Sequence, residues 1–152
     1  EVVENYTKSY GEGSYDELNQ YLRLGRSGDP TAESIIDDLD DVLLSAPAID
    51  HDMLLYRGVN ASPADLNIKV GEPWKDEGFF STSVDPSSAF NSPVNFEIMV
   101  PEGSHGWAYV NELSAYKNVE YEMLGHRGSE FMILEIEDDR YSQTVRMIYI
   151  GD

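Results

Sequence analysis

The sequence predicts an α+β domain, with helices gathered in the first third and antiparallel hairpins in the second half. Apolar residues recur at helical spacing before residue 45, whereas from residue 53 onward short apolar runs are separated by Gly, Pro, Asp and Ser. Helices therefore do not alternate with strands, which argues against a doubly wound parallel sheet. No glycine-rich fingerprint follows a first strand, so a dinucleotide would not be held in the Rossmann manner.

In chain order, Tyr15, Leu18, Leu22 and Tyr21 follow Ser14 at helical spacing, and Glu17 stands three positions beyond that serine, a capping-box pattern. The stretch GRSGDP ends this helix and sets up another start near Thr31. Over residues 32–44, Ile35, Ile36, Leu39, Val42 and Leu43 share one face and leave Asp37, Asp38, Asp40 and Asp41 mainly outside. These aspartates lack the glycine and alternating ligand positions of a calcium loop, so they read as a solvated helix face. MLLYRGV at 53–59 reads as a strand, 61–77 as a turn-rich polar stretch, and GFFSTSVDP as a strand entering three hydroxyl residues. A short helical turn is expected within 87–95, then a strand in FEIMVPEG, then a loop over 103–118 with a short ordered piece. EYEML, EFMILEIED and QTVRMIYI close the chain as three strands, for five to seven in all.

A chain of 152 residues is one ordinary domain, residues 1–152, able to bury a core without staples. With 29 acids against 10 Lys and Arg the formal net charge is -19, a field that repels phosphate backbones and anionic membranes. Direct nucleic-acid binding is therefore not expected. Any anionic ligand needs a local exception, which gives weight to each of the six arginines. There is no cysteine, hence no disulfide and no thiol nucleophile, and with isolated histidines no zinc site is expected; His105, Trp107 and His126 read as structural. No apolar run approaches the roughly 18 residues of a membrane span, and the opening EVVENYTKSYGEG has neither the basic flank nor the apolar core of a signal peptide.

Chemistry concentrates between Ser114 and Glu135, where Glu120 and Glu122 flank one aromatic at the point where a polar loop gives way to an apolar run. If Glu122 opens a strand, the period of two directs both carboxylates to one side. Spacing alone also fits an edge strand with an acidic solvent face. Three separated signals then stand together: Tyr56-Arg57-Gly58, Ser81-Thr82-Ser83 and Glu120-Tyr121-Glu122. With Tyr10, Tyr15, Asn19, Leu22 and Arg23 before them, and a continuous stretch from Ile98 to Ile133 around the acids, the chain resembles the mono-ADP-ribosyltransferases of the arginine, STS and E-x-E class. That class includes bacterial actin-modifying toxins and phage enzymes that modify host proteins. The resemblance covers about residues 5–150.

The resemblance implies N-terminal helices followed by two packed, mainly antiparallel sheets, with NAD as co-substrate and ADP-ribose transferred to an arginine of a target protein. It implies a grip on the pyrophosphate by Arg57, a backbone contact to the nicotinamide amide at Gly58, and packing of Phe90 on the nicotinamide. Tyr15 and Asn19 join the cofactor contacts. Glu122 is the leading catalytic residue, with Ser81 donating to it, and Glu120 faces the acceptor. Tyr116 lies in the loop expected to touch the target protein. Arg57, Ser81 and Glu122 are thus expected to meet around one pocket. Gly78 departs from the pattern, since some relatives carry an asparagine there that touches the cofactor. Actin or a host bacterial protein is the kind of target implied, with secretion or delivery into a host cell, action in the host cytoplasm, and a separate delivery component or domain. Other readings of the same residues are a small glycoside hydrolase using Glu120 and Glu122, an NAD glycohydrolase, and an inactive protein-binding module with an acidic surface.

Overall fold

The computed structural model describes residues 15–89, 92–109 and 122–151. Helix α1 spans Tyr15–Arg23 and helix α2 spans Pro30–Leu44. Helix α2 starts just before Thr31 because Asp29 caps it: its carboxylate accepts the Thr31 and Ala32 amides at 3.1 and 3.2 Å, and Pro30 supplies a preset φ at the first position. Its buried face is Ala32, Ile36, Leu39 and Leu43, packed with Leu18 and Tyr21 of α1. Val42, expected on that face, is 39% exposed, because a stripe through 32, 36, 39 and 43 leaves position 42 about 100° away.

The strands are β1 Met53–Val59, β2 Pro73–Asp76, β3 Phe80–Ser83, β4 Val94–Val100, β5 Trp107–Tyr109, β6 Glu122–Gly125, β7 Ser129–Asp138 and β8 Gln143–Tyr149, with a 3-10 turn at Pro86–Ala89. Eight strands among the described residues exceed the five to seven expected. Of the two not read as strands, β2 is four residues long, too short to show a period of two, and β5 falls where a short ordered piece was expected within 103–118. They form one sheet in the order β2-β7-β8-β4-β1-β3-β6-β5, antiparallel except for β4 beside β8. Two packed sheets were expected and one continuous ladder is found. The difference comes down to one residue pair, Tyr56 with Ser83, which alone joins the five strands on the β1 side to the three on the β3 side.

One face of the sheet carries the main core. Phe80, Phe96, Trp107, Phe131 and Tyr149 interlock there, with Phe80 and Phe131 centroids 4.7 Å apart. Rings of this size bury roughly 150–250 Å² each, so among the described residues this cluster is the larger of the two stores of hydrophobic stabilisation. Trp107 is 1% exposed, and the Tyr149 hydroxyl donates to the His105 carbonyl at 3.3 Å while lying 2.6 Å from His126 Nε2. On the opposite face, Leu124 of β6 and Phe79 before β3 pack under the two helices. Further along that face Arg146 of β8 bonds Glu97, Glu135 and Glu137 at 3.0, 2.9 and 2.8 Å. A bulge in β7 between Ile133 and Glu135 leaves Leu134 55% exposed beside this cluster.

Candidate active site

Residues directly opposite in an antiparallel ladder share a face. Ser83 is opposite Glu122 and Tyr56 is opposite Ser83, so these three form a row across β6, β3 and β1. Ser81 is two residues from Ser83 on the same face, opposite Leu124, and Gly58 is two residues from Tyr56. Glu122 is the first described residue of β6, within the stretch EYEML read as a strand, and is only 7% exposed. The three hydroxyl residues separate by role. Thr82, on the core face, donates to the Met123 carbonyl at 2.8 Å, while Ser83 Oγ accepts the Asp85 amide at 3.0 Å and ties off the strand end. Asp85 in turn accepts the Ser87 amide and hydroxyl at 2.9 and 2.8 Å, and these bonds hold its carboxyl below the usual carboxylate range.

Arg57 differs from the expectation. Being one residue past Tyr56, it leaves β1 on the face opposite to Glu122, and its guanidinium lies over the Phe80 ring at 4.7 Å from the centroid. Arg57, Ser81 and Glu122 therefore do not share a face. They lie around the place where the sheet divides: β1 and β3 pair only at Tyr56 and Ser83, so beyond that pair Arg57 and Gly58 border the gap between the separating strands. A groove of about 700 Å³ is lined by Arg57, Gly58, Phe96, Trp74, Arg23 and Asp76 among others, with no residue of β3 or β6 in its described lining. Ser81 and Glu122 are not among its described lining residues.

Asn19 is 4% exposed, and its Oδ1 accepts the Phe79 amide at 2.8 Å, joining α1 to the lead into β3. Glu120, Tyr116, Phe90 and the Tyr15 side chain lie outside the described residues. Sequence reasoning passed over Trp74 and Asp76, which sit in the stretch read as turns. No signal in the chain marked them. Arg23 had been part of the N-terminal pattern without a role of its own.

The groove suits a dinucleotide in size and chemistry. Sites for ligands of moderate size occupy roughly 300–1,000 Å³. A planar guanidinium matches paired phosphate oxygens, and Trp74 and Phe96 offer flat apolar walls.

The fold is that of several solved toxins. It is similar to Plx2a, an ADP-ribosyltransferase toxin from Paenibacillus larvae, with a TM-score of 0.82 at 21% identity over 98% of this chain and 84% of that one. The Clostridium limosum C3 exoenzyme gives 0.81 at 17% identity over 98% and 83% of the two chains. Exoenzyme S from Pseudomonas aeruginosa, solved with human 14-3-3 protein beta and carba-NAD, gives 0.79 at 20% over 94% and 68%. In sequence the chain is 30% identical over 154 aligned positions to the NAD(+)–arginine ADP-ribosyltransferase EFV of Enterococcus faecalis, covering 93% of this chain and 30% of that protein. It thus spans less than a third of that relative's length. The ADP-ribosyltransferase exoenzyme family model matches residues 2–150, and the chain belongs to that family.

Proposed function

We propose that residues 1–152 form a single catalytic domain that cleaves NAD between nicotinamide and ribose and transfers ADP-ribose to an arginine side chain of a target protein. The observation that carries this reading is Glu122, a nearly buried carboxylate on β6 in the row with Ser83 and Tyr56, together with a groove lined by Arg57 and Gly58, the two residues that follow Tyr56 in β1. The name of the Enterococcus faecalis relative, which specifies both NAD and arginine, supports it. Membership of this family favours neither a glycoside hydrolase nor a silent binding module.

The nicotinamide of NAD is already cationic, so its bond to ribose can break with the electron pair returning to the ring nitrogen and no proton supplied. What the site must provide is a held pyrophosphate and negative charge near the developing oxocarbenium ion. Arg57 takes the first role. Glu122 takes the second, accepting a hydrogen bond from the ribose 2'-hydroxyl, with Ser81 fixing its rotamer. Gly58 offers its backbone to the nicotinamide amide without a side chain in the way. Phe90, Tyr15 and Asn19 complete the cofactor contacts. An arginine acceptor stays protonated, its pKa lying above about 12. It needs a base to orient it and take its proton as the new nitrogen–carbon bond forms, and Glu120 is placed two residues from Glu122 for that. Tyr116 contacts the target protein. That target is a host protein, actin or a bacterial protein, reached in the host cytoplasm after secretion or delivery with a separate component.

The test is incubation with labelled NAD and either lysate or agmatine as a guanidine acceptor. Label on protein and on agmatine supports the reading. Nicotinamide release with no label on any guanidine would remove arginine as acceptor, and no release at all would remove the enzyme. Glu120→Gln separates the two carboxylates: transfer should be lost while much NAD hydrolysis remains, and equal loss of both would mean the acids act as one unit.

A further inference from the structure

Helix α1 holds the peptide that leads into the serine strand by two side chains one helical turn apart. Asn19 and Arg23 stand at i and i+4, on one face of α1. Asn19 Oδ1 accepts the Phe79 amide at 2.8 Å. Arg23 donates Nε and Nη2 to the two carboxylate oxygens of Asp76 at 2.9 and 3.0 Å, and Asp76 Oδ1 also accepts the Gly78 amide at 2.9 Å. The Gly78 and Phe79 amides that lead the chain into β3 are thereby tied, the first through Asp76 and the second directly, to the same helix face. The carboxylate is buried to 9% side-chain exposure, whereas Arg23 remains 39% exposed.

Gly78 is what allows this. Its backbone is not in the left-handed region, so glycine is not needed for its φ. A Cβ there would stand 2.8 Å from Asn19 Oδ1 and 3.0 Å from Arg23 Nε and Nη2, too close for either contact to survive unmoved. The absence of a side chain at position 78 and the presence of these two side chains beside it are one arrangement.

We infer that Asp76, Arg23 and Gly78 form a latch that sets the groove wall and the start of the serine strand, acting as positioning residues for dinucleotide binding. The inference rests on the reading of NAD as co-substrate for its affinity readout, but not for its structural one. Asp76 and Arg23 both line the groove, so a slackened latch changes the shape that meets the ligand.

The sign of the effect separates positioning from charge. Removing a carboxylate from the groove makes it less negative, and simple electrostatics then predicts tighter binding of an anionic dinucleotide. The latch predicts weaker binding. The experiment compares wild type with Asp76→Asn, Arg23→Gln, Gly78→Ala and Glu77→Gln. Glu77 lines the same groove with a carboxylate 60% exposed and outside the latch. Amide exchange at Gly78 and Phe79 is followed by NMR, and NAD affinity by calorimetry. Asp76→Asn, Arg23→Gln and Gly78→Ala should speed exchange at one or both amides and weaken NAD by about tenfold, with hydrolysis kcat at saturating NAD within about twofold. Glu77→Gln should leave exchange unchanged and NAD affinity equal or tighter. Wild-type affinity and exchange in Asp76→Asn, or an equal loss in Glu77→Gln, overturns the latch. If wild type itself binds no NAD, the proposed function fails while the exchange data still decide whether the latch exists.

Discussion

Glu122 and Ser83 are paired residues of β6 and β3, and the backbone ladder that pairs them fixes where the carboxylate leaves the sheet. Glu122 is thus held by strand geometry, beside the junction at which β1 and β3 part. Glu122→Gln should keep the fold, since the amide is isosteric, while nicotinamide release falls by about two to three orders of magnitude through loss of charge stabilisation. Release at the wild-type rate would remove Glu122 from the mechanism.

Arg57→Ala should weaken NAD binding by about ten- to a hundredfold, the worth of hydrogen bonds between charged groups. Arg57→Lys should recover little of it, because an ammonium lacks both the fork and the flat face that lies over Phe80. Calorimetry at fixed ionic strength distinguishes these outcomes, and wild-type affinity in the alanine variant would refute the grip.

Phe80 is fully buried and touches Trp74, Phe96, Trp107 and Phe131. Phe80→Ala should cost about 3–5 kcal/mol of unfolding free energy, read from a urea transition. A cost below about 1 kcal/mol would mean that the cavity collapses freely.

Asp29→Ala removes the carboxylate oxygen that accepts both the Thr31 and Ala32 amides at the start of α2 and should lower stability by about 1 kcal/mol. Helical circular dichroism during thermal melting checks it. An unchanged melting temperature would show that the first turn finds other acceptors.

Arg146 is surrounded by Glu97, Glu135 and Glu137, whose hydrogen bonds raise its pKa well above the usual guanidinium value. Folding is favoured by this shift at every pH below the ordinary arginine value and loses it only as pH rises through the elevated one, beyond any working range. Arg146→Ala leaves three carboxylates facing one another, so its melting temperature at neutral pH should fall. Added salt should narrow the gap to wild type by screening that repulsion, and a gap insensitive to salt would point to lost packing instead.

Much of the fold was legible because its signals are local. The stop and restart at GRSGDP, the run MLLYRGV as β1 and the three closing strands all rest on periodicity and turn residues near each other in sequence. A strand through Glu122 was legible for the same reason. The pleat side of Arg57 was not, because it depends on which residue of β1 meets Ser83, a pairing between segments more than twenty residues apart. Whether one sheet or two would form turned on that same pair. Asp76 was invisible because its importance comes from Arg23, more than fifty residues earlier, and nothing in WKDE announces a partner that far away.

Among the described residues the sheet ends on one side in β2, which is four residues long and begins with Pro73, a residue with no amide to offer a neighbour. Lys75 and Asp76 add charge to that margin. That border therefore presents no long, flat template onto which the backbone of another molecule could zip, the usual route by which β-rich chains aggregate as they are made or refolded.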